Sequence, residues 1–150
     1  MVVSILNAHG GLRGMLFELP EVIAKAEGAV AAAGLAGSCE LRSGSFLESV
    51  PSGGDIYILS NILHDWDDDH CGRILTNCRR AMRRDAKILV IDAIMPEPDP
   101  PLVLAALDLQ MMVMLGGKQR TESEYRTLFQ ASALRITQAQ PQGLIEAEVI

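Results

Sequence analysis

Short apolar runs of strand length recur along this chain, separated by segments long enough for a helix, and this alternation constrains the fold more than any other feature. Gly14–Glu18, Cys39–Ser43, Asp55–Ser60 and Lys87–Asp92 each read as a strand. Between the first two, Val22, Ile23, Ala26 and Val30 form the stripe of a helix that Pro20 opens and Gly34 ends. Asp67 caps a longer helix, to about Arg84, with Cys71, Ile74, Leu75, Cys78 and Met82 on one face and Asp68 and Asp69 at its positive end. Strands alternating with helices predict an α/β fold built on a doubly wound parallel sheet with helices on both faces. Asp55–Ser60 is expected to be buried on both faces, as a central strand would be.

The ends and connections follow from turn chemistry. Residues 1–9 read as the tail of a helix stopped by Gly10-Gly11, and Met95–Pro101 as a proline-rich loop. An apolar, methionine-rich helix is expected over Leu102–Leu115, ended by Gly116-Gly117. Thr121 and Glu124 have the spacing of a capping box for a helix to about Ala133. Leu134–Ala139 and Leu144–Ile150, around Pro141-Gln142-Gly143, predict a C-terminal antiparallel hairpin.

Charge and cysteine usage narrow the function. The net charge is −6 and no basic stripe occurs, which argues against a nucleic-acid partner. The Arg79, Arg80, Arg83 and Arg84 cluster falls at a helix end, where cations complement the dipole. No apolar run approaches the roughly 18–20 residues of a membrane span, and the N-terminus lacks the pattern of a signal peptide. Cys39, Cys71 and Cys78 read as buried thiols in a reducing, cytoplasmic setting. No paired-ligand spacing suggests a metal, so none is expected.

The stretch that carries chemistry is Ser60-Asn61-Ile62-Leu63-His64-Asp65-Trp66. It follows an apolar strand directly, so His64 falls at the carboxyl edge of the sheet, where open α/β sheets bind their ligands. Further motifs agree in order and spacing: Leu16-Phe17-Glu18-Leu19-Pro20, Gly44-Ser45-Phe46-Leu47, Ile91-Asp92-Ala93-Ile94-Met95-Pro96, and Gly116-Gly117-Lys118-Gln119-Arg120-Thr121. Together they resemble the catalytic domain of the S-adenosylmethionine-dependent small-molecule O-methyltransferases, plant caffeate-type and bacterial polyketide-type, over nearly the whole chain.

The resemblance implies a Rossmann-like class I methyltransferase sheet and an enzyme of secondary metabolism. It would move a methyl group from S-adenosyl-L-methionine to a hydroxyl of an aromatic or polyketide-like small molecule. It implies a cofactor site at Glu18 (ribose hydroxyls), Leu19 and Phe46 (adenine), Ser45 and Ser60. Ser45 stands where the family usually has Asp, and Ser60 where plant relatives often have Lys. His64 would be the general base, since an imidazole with a pKa near about 6.5 can take a proton that a phenol at about 10 holds. Asp92 would orient that ring, and Gln119 replaces the second carboxylate of plant relatives. Met111, Met112 and Leu115 would flank the acceptor. Each has a plainer alternative: a structural histidine, a strand-end aspartate, a core aromatic, a core run of methionines.

The family's glycine-rich cofactor loop and first strand are expected to precede residue 1, leaving 1–150 as a partial class I methyltransferase catalytic domain with its first strand missing. That would leave two sheet edges unpaired. A homo-oligomer or a second chain completing the sheet is then expected, and weak or no methyl transfer by the isolated chain. The competing reading is an inactive truncated fragment that acts as an interaction or oligomerisation module.

Overall fold

The computed structural model describes residues 1–98, 100–114 and 116–150, with the backbone alone at Leu107. The chain divides into two compact units, Met1–Pro51 and Ser52–Ile150.

The first unit runs α1 (Val2–Ala8), β1 (Gly14–Glu18), α2 (Pro20–Ala32) and β2 (Cys39–Ser43). β1 and β2 pair in parallel, from Gly14 opposite Cys39 to Glu18 opposite Ser43. Leu6, Val30, Leu35 and Cys39 form its core, with Val2, Leu16 and Leu41 packed around them. Pro20 does open α2, and Gly34 follows its end at φ +72°, a value that costs glycine little. Of the expected stripe, Ile23 and Val30 are buried, but Val22 is exposed.

The second unit begins with β3 (Ile56–Ser60), a 3-10 turn (Leu63–Asp65), α3 (Asp68–Ala81), β4 (Lys87–Ile91) and β5 (Ile94–Met95). It continues with α4 (Leu102–Met114), β6 (Arg120–Thr121), α5 (Glu122–Ala131), β7 (Leu134–Gln140) and β8 (Leu144–Val149). One sheet has the order β3-β4-β8-β7, with β3 and β4 parallel and both β8 contacts antiparallel. The hairpin thus folds back so that its second strand, not its first, borders β4. Ile74, Leu75, Ile88, Val90, Phe129, Leu134 and Ile145 are all fully buried at its core.

Caps fall where the sequence puts them. Asp67 accepts from the His70 amide at 2.8 Å, and Thr121 and Glu124 close the capping box. Three expectations are corrected. β3 is buried on one face only: Tyr57 and Leu59 point inward, the Tyr57 hydroxyl donating to the Ala81 carbonyl at 3.0 Å, while Ile56 is 55% exposed. Period-two geometry sends alternate side chains to opposite faces, and an apolar run does not reveal that only one is covered. Met95, expected to begin a loop, instead pairs with Ile94 in a strand parallel to Arg120–Thr121, a two-residue ladder too short to leave a sequence period. α4 presents Val103, Leu109 and Val113 to solvent rather than joining the core.

Candidate active site

At the carboxyl end of β3 the chain turns through Asn61, at φ +53°, whose amide donates to the Ile91 carbonyl at 2.9 Å. The half-buried Ser60 precedes it, opposite Ile91 in the ladder. The 3-10 turn that follows carries His64. Asp92, just beyond the end of β4, meets this turn with both carboxylate oxygens. Oδ2 accepts from the Leu63 amide at 3.0 Å, and Oδ1 lies 3.1 Å from His64 Nδ1. That second contact is close but does not meet hydrogen-bond geometry, and neither atom has a hydrogen-bond partner.

Asp92 is 3% exposed. Burial pushes its carboxyl above the usual range; the neighbouring imidazole and the Leu63 and His64 amides oppose that without cancelling it. The Asp92 amide donates to the Gly143 carbonyl at 3.0 Å. Gly143 sits at φ +94° where a Cβ would overlap the Asp92 carbonyl, so the hairpin turn backs the catalytic candidate directly. On the far side of the ring, Nε2 is 3.3 Å from Asp65 Oδ1, a half-exposed carboxylate. The imidazole is therefore flanked by acids on both nitrogens, one buried and one open to water.

Sequence reasoning missed the residue that holds this turn from below. Arg120, fully buried, donates from Nη1 to the Leu63 carbonyl and from Nη2 to the Trp66 carbonyl, both at 2.8 Å. Its Nε and Nη2 also reach Asp68 Oδ1 at 2.9 and 2.8 Å. Burial raises the Asp68 carboxyl, but Arg120 and Lys118 outweigh it and leave the group below its usual range. Lys118 links Asp68 at 3.3 Å with Glu124 at 2.9 Å. Gly117 packs flat on the same turn; a Cβ there would overlap the His64 carbonyl and stand 2.7 Å from the Trp66 nitrogen. One signal was available. Lys118 and Arg120 lie at the positive end of α5, where the helix dipole disfavours cations, so they need anionic or carbonyl partners elsewhere.

The remaining expected site residues are placed as follows. Gln119 is buried and its amide donates to Asp108 at 2.6 Å; its side-chain Oε1 has no hydrogen-bond partner. Met112 is exposed and lines a shallow cavity of about 230 Å³ with Asp67, Asp68, Gly116, Gly117 and Lys118. That is smaller than the roughly 300 Å³ at which ligand pockets begin, and His64 does not line it. Met111 is half-buried on α4, and Leu115 lies outside the described residues. In the first unit, Glu18 and the Gly44–Phe46 segment share the carboxyl edge of two parallel strands. The Gly44 amide donates to the Glu18 carbonyl at 3.0 Å. Glu18 and Phe46 are half-buried and Leu19 is exposed; Ser45 Oγ accepts from the Leu47 amide at 3.3 Å, a turn role. Among the described residues no helix is long and apolar enough to cross a membrane.

Comparison with known proteins bears on what this arrangement is. The family model described as an O-methyltransferase domain matches residues 1–135. The chain is 41% identical over 141 residues to a phenazine O-methyltransferase of Lysobacter antibioticus, covering 94% of this chain and 41% of that protein. It is 40% identical over 143 residues to a mitomycin biosynthesis 6-O-methyltransferase of Streptomyces lavendulae, covering 95% and 41%. The solved mitomycin 7-O-methyltransferase superposes with a TM-score of 0.94 at 38% identity, over 99% of this chain and 45% of that one. A neocarzinostatin-biosynthesis O-methyltransferase, solved with S-adenosyl-L-homocysteine and 1,4-dihydroxy-2-naphthoic acid, gives 0.91 at 30% identity over 99% and 45%. The chain thus spans about two fifths of the length of the curated relatives it matches. Its fold is the α/β fold of these enzymes, and the chain belongs to the O-methyltransferase domain family.

Proposed function

We propose that residues 1–150 form part of one catalytic domain that transfers a methyl group from S-adenosylmethionine to a hydroxyl of an aromatic or polyketide-like small molecule, with His64 as the general base. The observation that carries this reading is the buried Asp92 carboxylate 3.1 Å from His64 Nδ1. It orients the ring and favours the imidazolium, leaving Nε2 for the acceptor's proton. When bound, the cofactor supplies an electrophilic methyl on a positively charged sulfur. His64 Nε2 would take the hydroxyl proton that the acceptor oxygen gives up as it is methylated. Asp65, half-exposed beside that nitrogen, is the carboxylate through which the proton would reach water. Gln119 brings an amide and no charge, so it would contribute orientation only.

Glu18, Leu19, Ser45, Phe46 and Ser60 are the residues assigned to the cofactor. The first unit fits that role: a half-buried carboxylate at the carboxyl edge of a parallel strand can accept both ribose hydroxyls, and Phe46 flanks the same edge. Met111, Met112 and Leu115 are assigned to the acceptor. In the test, calorimetry with S-adenosylhomocysteine registers binding that Glu18→Ala weakens by about tenfold or more, as loss of a charge-assisted hydrogen bond implies. Methyl transfer to a hydroxynaphthoate, followed with labelled cofactor, falls by about 10²–10⁴ in His64→Ala without a change in cofactor affinity. Undiminished transfer in that variant rejects the base assignment.

A second reading, a non-catalytic module that pairs with a copy of itself or with another chain, draws support from one observation. β3 is the outer strand of its sheet in the described residues, with Ile56 and Ile58 exposed beside it. No heat with S-adenosylhomocysteine, together with a dimer in sedimentation, would favour that reading.

A further inference from the structure

We propose that Arg120 is the positioning residue for His64: its buried guanidinium fixes the backbone of the 3-10 turn so that the imidazole stays against Asp92. The turn is gripped from two directions around one residue. The Leu63 amide is held by Asp92 at 3.0 Å, and the Leu63 carbonyl by Arg120 at 2.8 Å. His64 is the next residue, so its α-carbon inherits both constraints. The Trp66 carbonyl, also on Arg120 at 2.8 Å, fixes the exit of the turn. Asp68 at 2.8 Å ties the same guanidinium to the first turn of α3, which makes the clamp rigid relative to the helix and not only to the loop.

A planar fork with five donors can serve two carbonyls and a carboxylate in one plane; an ammonium cannot span them. Gly117 lets the β6 segment approach close enough for this reach, since any side chain there would strike the turn. The inference rests on the reading of His64 as the base, but its test reads ring geometry and not turnover.

Carbethoxylation of the histidines, followed by mass spectrometry, supplies that test. The chain has three histidines, and His9, exposed and in the other unit, serves as the internal reference. The His64 ring is 17% exposed and its nitrogens are flanked by acids. In Arg120→Lys, at a temperature well below its unfolding midpoint, the His64 rate relative to His9 rises by about tenfold or more, the population change expected from loss of one charge-assisted hydrogen bond. Asp68→Asn, which keeps an oxygen acceptor for the guanidinium but removes its charge, gives a smaller rise in the same direction at a temperature well below its own unfolding midpoint. Leu134→Ala, a core lesion in β7, leaves the ratio unchanged. A purely structural Arg120 makes Arg120→Lys and Leu134→Ala behave alike. An unchanged ratio in the arginine and aspartate variants, or an equal rise in the β7 variant, overturns the proposal. Loss of methyl transfer with an unchanged ratio separates failure of this inference from failure of the base assignment.

Discussion

Raising the pH should unfold this protein through two thiols, one of them packed beneath the His64 turn. Cys71 is fully buried, with Sγ 3.2 Å from the Leu63 carbonyl and 3.5 Å from that of Trp66; Cys78 lies two helical turns further along α3, 1% exposed. Burial pushes Cys71 from 9.0 up to about 11 and Cys78 from 9.0 up to about 12. Both groups are neutral when protonated, so the folded state holds the proton longer than the unfolded chain. Their stabilising effect is complete below about pH 9 and is lost as pH climbs through the folded values. Each thiol contributes a slope of about 1.4 kcal/mol per pH unit in that window. Summed over both, the loss relative to about pH 8 is about 3 kcal/mol at about pH 10 and about 5 kcal/mol at about pH 11, a large share of a typical domain's stability. The fully buried Tyr125, whose hydroxyl is also pushed up by burial, adds a loss of the same sign at higher pH. Urea unfolding at a series of pH values measures the slope directly. The Cys71→Ala/Cys78→Ala double variant starts less stable, from the space it leaves, yet its curve is flatter between about pH 9 and 11. A wild-type stability that is level across that range, or a double variant with the same slope, refutes the reasoning.

Three other substitutions address the site. Asp92→Asn keeps an acceptor for the Leu63 amide and removes a carboxylate whose folded pKa is raised; that penalty exists only above the unfolded value and grows until the folded pKa is passed. The variant is therefore no less stable at neutral pH in urea unfolding, while methyl transfer drops by about 10² or more. Gly117→Ala and Gly143→Ala each force a Cβ into the backbone behind His64 or Asp92, and each lowers stability by about 1–3 kcal/mol in thermal unfolding. Gly28→Ala, with open space around it in α2, raises stability by about 0.4–1 kcal/mol in the same assay.

Helix starts and strands with local signals were legible before any coordinates. Asp67 and Thr121 cap through side chains a few residues from their targets, and Pro20 acts through its own ring. Such devices are local, and the order of residues specifies them. The covered face of β3, the β5–β6 ladder and the exposure of α4 were not legible. Each depends on which surface comes to lie against which.

The same division runs through the candidate site. The amino-acid order alone determined that an imidazole and a carboxylate would stand at the ends of two apolar runs, because a strand delivers its last residue to the sheet rim. Tertiary structure decided that β3 and β4 are neighbours in parallel, which brings His64 and Asp92 within 3.1 Å. It also decided that Arg120, 56 positions after His64, would be sealed beneath the turn. A guanidinium can be buried only where carbonyls and a carboxylate converge to replace its water, and that convergence is a property of the assembled elements.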